Sequence, residues 1–339
     1  MIHYGDIRSL YGWLVPSVDV IIGGSPCQNL SKAGTQEGFR GEQSVLFYEQ
    51  MRVIKEMRQA TNGKYPRFMV WENVVGAFSS NEGRDFRSVL TECARIAKPD
   101  APDVPLPERG RWTKAGLLVG DGFSVAWRVL NAEFWGVPQR RRRIALIADF
   151  GEECAGEILF ERESMSGDSS QVAVAGENPA GNRENDSYPA VYGLDEEFNC
   201  YLEKYGTLKA HKSGGVRNIV VDTVRKFARR LTPVEVERLQ GFPDGYTDIG
   251  VWKDRRGISH KASDNARFQV LGNSITLPPW RWVLRRISER YDRVPTMGSP
   301  FDGIGGFSLL WTEINGKGTV LWGSEIDPFC EAISTARIP

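Results

Sequence analysis

The chain has 339 residues, 41% of them hydrophobic, enough for a sizeable core in one large or two modest domains. Its 43 basic and 43 acidic residues cancel, so no global field draws it to nucleic acid, and any such binding must come from local patches. Five cysteines without a CxxC pair, three distant histidines and no apolar run of membrane-span length argue against zinc, disulfides and membrane insertion, and predict a reduced cytoplasmic protein.

Taken in order, the first strong signal is the apolar run Val18 to Ile22, which ends in Gly23-Gly24 and reads as a buried strand entering a tight loop. The loop Gly24-Ser25-Pro26-Cys27-Gln28 places Cys27 at the carboxyl end of that strand, where open α/β sheets keep their chemistry. A polar segment with glycines, Ser31 to Gly41, precedes a predicted helix over Leu46 to Gln59. A second strand, Phe68 to Trp71, runs into Glu72, and a helix follows Asn81 and reaches about Ile96. Lys98 to Gly116 carries Pro99, Pro102, Pro105 and Pro107 and reads as an exposed loop. Gln139-Arg140-Arg141-Arg142-Arg143 then leads into the strand Ile144 to Ala148. From about Gly151 to Lys226, Gly, Ser, Asn and Glu dominate and periodicity fades. Thr232, Pro233 and Glu235 form a capping box that starts a helix, which Gly241 and Pro243 end. A helix over Pro279 to Arg290 is followed by a strand into Phe301, a glycine-rich turn, a helix near Phe307 to Ile314 and a strand over Thr319 to Glu325. Asp327-Pro328 then pairs an N-cap with a first-turn proline. There is no internal repeat. The alternation predicts an α/β fold with a doubly wound, mostly parallel sheet.

Pro26-Cys27-Gln28, Glu72-Asn73-Val74 and the Gln-x-Arg-x-Arg of Gln139 to Arg143, in that order, resemble the DNA (cytosine-5) methyltransferases. Arg230-Leu231-Thr232-Pro233 through Leu239-Gln240-Gly241-Phe242-Pro243-Asp244 and Leu271-Gly272-Asn273-Ser274 are similar to later motifs of that family. The family's loop for S-adenosyl-L-methionine (AdoMet), ordinarily near the N-terminus, resembles Phe301 to Phe307 near the C-terminus. Glu325 and Gly5-Asp6-Ile7 resemble the family's next two motifs. Joining Pro339 to Met1 restores the usual order, so the chain reads as a circular permutant.

The resemblance implies an AdoMet-dependent, Rossmann-like catalytic domain made of residues 1–150 and 265–339, with a small target-recognition domain and its hinge over 151–264. It implies a covalent mechanism, because carbon 5 of cytosine takes a methyl group only after a thiolate adds to carbon 6. Cys27 is the expected nucleophile, Glu72 the group at nitrogen 3 and Arg143 the donor to the ring oxygen, with Arg141 expected in the catalytic set as its neighbour two residues away on the same strand face. Reaching these groups requires the cytosine to leave the duplex, and Ser31 to Gly41 resembles the family's closing loop. Gln28, Ser31, Lys32, Arg40 and Arg230 are the expected DNA contacts.

For AdoMet, Phe301, Gly303, Gly305 and Gly306 are expected around the methionine and adenine, with Glu325 on the ribose hydroxyls and Ile326 beside it. Asp6 and Ile7 are expected at the adenine, Pro26 near the methyl donor, and Asn273 with Ser274 at the methionine end. Pro300 departs from the pattern, since proline in a buried strand loses a ladder bond. No metal is implied; the expected partner is double-stranded DNA, with a separate cognate restriction endonuclease a further candidate and a monomer the expected state. A DNA-binding relative without activity, a dinucleotide-dependent oxidoreductase and the same chemistry on structured RNA are the competing readings. Intact Cys27, Glu72 and Arg143 disfavour the first, and the second leaves them unexplained.

Overall fold

The computed structural model describes residues 1–25, 45–160, 191–194, 200–202, 219–222 and 227–338. The first half supplies β1 (Ile2–Tyr4), β2 (Val20–Gly23), α1 (Val45–Ala60), β3 (Phe68–Val74) and α2 (Arg84–Ala97). Next come β4 (Ala115–Gly120), β5 (Phe123–Asn131), β6 (Arg142–Asp149) and α3 (Ala155–Leu159). Four short strands follow: β7 (Val191–Leu194), β8 (Cys200–Leu202), β9 (Ile219–Asp222) and β10 (Phe227–Arg230). The remainder is α4 (Pro233–Gln240), β11 (Val251–Lys253), β12 (Ser259–Lys261), α5 (Asp264–Asn273) and α6 (Leu277–Ser288). The chain closes with β13 (Met297–Pro300), α7 (Gly306–Asn315), β14 (Val320–Ser324) and α8 (Pro328–Arg337).

The central sheet has eight strands in the order β1-β14-β13-β2-β3-β6-β5-β4. Pairing is parallel from β1 through β3, and β6, β5 and β4 continue it antiparallel. Each central strand splits its side chains between two layers, as a period of two dictates. Val20, Ile22, Phe68, Val70, Ala145 and Ile147 face the layer containing Trp280, Leu284, Leu310 and Ile333. Ile21, Met69, Trp71, Ile144 and Leu146 face the layer containing Phe47, Ile54, Phe86 and Leu90. The sheet is therefore covered on both sides, and burying each such large apolar side chain contributes about 1.5–3 kcal/mol. Both ends of the sequence enter this one sheet, since β1 lies parallel to β14.

Local chemistry sets the helix starts. Thr232 Oγ1 accepts from Glu235 N while the Glu235 carboxylate accepts from Thr232 N at 2.7 Å, closing the capping box, and Gly241 ends α4 with φ of +82°. Asp327 caps α8 by accepting from Phe329 N and Cys330 N. Within α4, Glu237 forms a buried ion pair with Arg267 at 3.1 Å that ties the helix to α5. Gln240 bridges α4 to α5 and α6, donating to Leu271 O and accepting from Thr276 Oγ1.

Three expectations need correction. The segment from Lys98 to Gly116 is more than an exposed loop: Ala101 is buried, and Trp112 donates to Gly83 O at 2.8 Å while its ring meets Phe86 and Trp127 edge-on. Its last residues open β4. Pro300 does not interrupt β13 against β14: the ladder runs through Pro300↔Ser324 and resumes with Asp302 N donating to Ser324 O, whereas pairing with β2 stops at Gly298↔Ile21. Arg141 does not share a strand face with Arg143, because β6 begins one residue after it. No helix among the described residues is long and apolar enough to cross a membrane.

Candidate active site

The chain leaves β13 in one direction across the sheet, to β14 and β1, and lies in the other direction at β2 and β3. The switch point is thus between β13 and β2, and ligands of open α/β sheets bind beyond the carboxyl ends of the strands there. Residues following β13, β14, β1 and β2, and those ending β3, all collect at this edge.

On the β2 side, Ser25 is anchored from β3: Trp71 Nε1 donates to its hydroxyl at 3.0 Å and Asn73 Nδ2 to its carbonyl at 3.4 Å. Pro26, Cys27, Gln28, Ser31, Lys32 and Arg40 lie outside the described residues. Beside this root, Glu72 Oε1 and Arg143 Nε form an ion pair at 3.0 Å, with both side chains mostly shielded from solvent. The pair follows from register, since Arg143 sits opposite Val74 at the end of β3, two residues from Glu72. Gly24 packs on the same carboxylate: a Cβ there would fall 2.7 Å from Glu72 Oε2. Cys93, Cys154 and Cys330 are buried, and burial pushes all three thiols up, Cys154 to about 12, so none of these three offers a thiolate. Asp149, Glu152 and Cys154 gather within 4.8 Å, but Arg67 already pairs with both carboxylates.

Arg141 is buried and donates to Gly272 O at 3.1 Å and Ser274 O at 2.6 Å. It binds the start of β6 to the turn that ends α5. Gln139, for which sequence supplied no role, is buried and donates to Leu239 O at 3.0 Å. Asn273 is exposed at the last position of α5, Ser274 is half-buried, and Arg230 is exposed at the end of β10.

The β13 side is made of backbone. Phe301 takes φ of +60°, Gly303 +56° and Gly305 +78°. Left-handed geometry at a non-glycine residue costs on the order of 1–3 kcal/mol and persists only where its surroundings enforce it. Here the enforcement comes from Asp302, a buried carboxylate that accepts from Ser308 Oγ and Ser334 Oγ, each at 2.6 Å. The three glycines divide their work. A Cβ on Gly305 would meet Ser334 Oγ at 2.9 Å and one on Gly306 would meet Ile275 at 2.9 Å, so these two serve protein packing. Gly303 has nothing within 4 Å in that direction and is the one open to a ligand.

Glu325 follows β14 and accepts from Gly303 N, Ile326 N and Asp327 N, each at 2.8 Å. Burial raises its pKa against these hydrogen bonds. Ile326 is 64% exposed beside it, an apolar surface available to a flat ring. Glu325 N donates to Tyr4 O at 3.1 Å, which brings the end of β1 alongside. Asp6 is held by Arg8 through a side-chain ion pair and a backbone bond, and the Arg8 guanidinium keeps its carboxyl below the usual range. Ile7 is buried in the core, with its side chain among Leu10, Val53 and Phe47. Of the residues expected to hold AdoMet, Ile7 is thus buried in the core, and Gly305 and Gly306 serve protein packing. Gly303, Glu325 and Ile326 lie together at one edge, as an open glycine before a helix N-terminus, a carboxylate bonded to its N–H and an exposed apolar side chain. That donor set suits a nucleoside bearing an amino-acid carboxylate.

The model of the family described as C-5 cytosine-specific DNA methylase matches residues 1–96 and 117–155. The chain is 26% identical to a protein of Escherichia phage P1 named DNA N-6-adenine-methyltransferase, over 81% of this chain and 53% of the relative. It is 25% identical to the type II methyltransferase M.BsuFI of Bacillus subtilis, over 85% of this chain and 62% of the relative. To the type II methyltransferase M1.ScrFI of Lactococcus lactis subsp. cremoris it is 24% identical, over 84% and 66%. The chain thus spans between half and two thirds of the length of these relatives. The crystal structure of S. pombe Dnmt2 methyltransferase superposes with a TM-score of 0.49 at 17% identity, covering 85% of this chain and 84% of that one. The part of the chain that matches the C-5 cytosine-specific DNA methylase model carries Ser25, Glu72 and Arg143, and the chain is similar to that family over these residues.

Proposed function

We propose that the protein is a DNA (cytosine-5) methyltransferase that moves the methyl group of AdoMet to carbon 5 of a flipped-out cytosine within a specific double-stranded sequence. The observation that carries this reading is the Glu72–Arg143 pair at 3.0 Å, set against Gly24 at the root of the Pro26-Cys27-Gln28 loop. Cys27, as thiolate, adds to carbon 6 and turns the ring into an enamine. Glu72 addresses nitrogen 3 and Arg143 the neighbouring ring oxygen, so the charge that builds on the ring meets two oriented groups. When bound, AdoMet supplies an electrophilic methyl group on a sulfonium. Gly303, Glu325, Ile326 and the N-terminus of α7 hold it. Arg141 acts by fixing the Gly272 to Ser274 turn relative to Arg143.

The name of the phage P1 relative raises a second reading, methylation of adenine at nitrogen 6. An exocyclic amine attacks a sulfonium methyl without a covalent enzyme intermediate, which leaves the Cys27 loop and its carboxylate–guanidinium neighbour without a task. Residues 151–264, including the β10-β9-β7-β8 sheet, are proposed as the target-recognition domain and hinge, and 1–150 with 265–339 as the catalytic domain. The order of the motifs is proposed to be a circular permutation, consistent with Met1 Sδ 3.9 Å from Ser308 Oγ and Ser334, in the last turn of α8, on the shared Asp302. A role in restriction-modification or phage self-protection fits the type II relatives.

Bisulfite sequencing of a plasmid coexpressed with the protein, with nucleoside mass spectrometry of the same DNA, tests the reading. Protected cytosines in one short sequence are expected. Methyl groups confined to adenine, or none, would remove it.

A further inference from the structure

The β11–β12 hairpin has no counterpart among the motifs, yet its tip lies against the cofactor edge. Asp254 makes the tip rigid: its carboxylate accepts from Arg256 N and Ile258 N, each at 2.9 Å, and lies 3.0 Å from His260 Nε2. The base is fixed by Trp252, which stacks on His260 and tilts over Phe329 of α8. Arg255 projects from this tip, makes two polar contacts and packs beside Gly5. Its Nη2 donates to the Glu325 carbonyl at 2.9 Å, its Nε pairs with Glu331 at 2.8 Å, and its Nη1 lies 2.8 Å from where a Cβ on Gly5 would be.

The first contact is the informative one. The Glu325 carboxylate is bound by the backbone N–H groups of Gly303, Ile326 and Asp327, so the peptide path from 325 to 327 decides where it points. Arg255 holds the carbonyl at the start of that path. Glu331 orients the guanidinium from α8, and Gly5 leaves the space it fills. A half-exposed ion pair with Glu331 alone contributes little. We infer that Arg255 is a positioning residue for AdoMet, aligning the Glu325 carboxylate for the ribose hydroxyls and linking the β11–β12 hairpin to cofactor affinity. This rests on the reading of Glu325 as the ribose ligand.

The test is a double-mutant cycle on the full chain, with AdoMet affinity read by titration calorimetry and thermal unfolding measured alongside. Arg255→Met should weaken AdoMet about 3- to 10-fold, the size of one hydrogen bond, with an unchanged unfolding temperature. Arg255→Lys should recover part of the loss. In a Glu325→Ala background, Arg255→Met should have no further effect. Gly5→Ala, which displaces the guanidinium without altering it, should reproduce part of the loss if Arg255 acts by its position. Native AdoMet affinity in Arg255→Met, or an equal loss with and without Glu325, would overturn the inference. If Glu325→Ala itself leaves AdoMet affinity unchanged, the ribose assignment fails instead.

Discussion

The two halves of the carboxyl edge are built in opposite ways. On the β13–β14 side the geometry is in the backbone: three left-handed residues at alternate positions, Phe301, Gly303 and Gly305, pinned from below by Asp302 and met from the side by Glu325. On the β2–β3 side the backbone is ordinary strand, and the geometry is in side chains: Trp71 and Asn73 fix Ser25, and Glu72 holds Arg143. The difference teaches which substitutions each half tolerates. As the proposed cofactor cradle, peptide groups fail when a Cβ or a changed φ moves the chain, whereas the proposed catalytic half, made of side chains, fails when a functional group is removed.

The largest effect is expected on the side-chain half. Cys27→Ser should lower methyl transfer on the order of 10³-fold or more while sparing DNA affinity, because a hydroxyl stays protonated near neutral pH and attacks poorly. Arg143→Met should cost about 10²- to 10³-fold in kcat with AdoMet affinity unchanged, and single-turnover kinetics with calorimetry checks both. A large loss of AdoMet affinity in Arg143→Met would merge the two halves and break the comparison.

On the backbone half the next largest effect is Glu325→Ala. Losing a charge-assisted contact to two hydroxyls should weaken AdoMet by about 1.5–3 kcal/mol, with DNA affinity preserved. Since burial raises the Glu325 pKa, the carboxylate should protonate at a higher pH than an exposed one. AdoMet affinity should therefore fall on acidification before ordinary carboxylates titrate. The glycines sharpen the contrast within the same turn. Gly305→Ala places a Cβ 2.9 Å from Ser334 Oγ at φ of +78° and should lower stability by about 1–3 kcal/mol. Gly303→Ala meets no atom and should cost only the left-handed strain, about 1–2 kcal/mol, read by denaturant unfolding.

Much of this edge was legible in the sequence, for identifiable reasons. β2, β3 and β6 announce themselves as short apolar runs, and the starts of α4 and α8 are capping patterns whose bonds span three residues. The β4–β5 hairpin was not legible, because β5 buries Ala126 on one face and Val125 and Trp127 on the other, which erases the alternation that marks a strand. Trp112 and Arg255 carry no local signal; their partners, Gly83 and Trp127 for the first and Glu325 and Glu331 for the second, are brought to them by tertiary packing. The roles of the glycines were only half legible, since Gly-x-Gly-Gly does not say which Cα faces a ligand and which faces Ser334 or Ile275.

The smallest expected effect lies away from both halves. Arg229 and the Thr232 groups hold the Glu235 carboxyl down to about 2. A carboxyl whose folded pKa is depressed stabilises the fold above its unfolded pKa, and that stability is lost as pH falls from the ordinary glutamate range towards about 2. Glu235→Ala should cost about 1 kcal/mol at neutral pH and progressively less as pH falls below the ordinary glutamate range towards about 2, measured by urea unfolding.

The central claim, a covalent attack by Cys27 on cytosine, is tested most directly by incubating the protein and AdoMet with target DNA carrying 5-fluorocytosine. Fluorine at carbon 5 cannot leave as the proton does, so the elimination that frees Cys27 is blocked. A denaturation-resistant protein–DNA adduct is predicted, with mass spectrometry placing the bond at Cys27 and no adduct in Cys27→Ser. Turnover without any adduct, or an adduct that survives Cys27→Ser, would contradict the account.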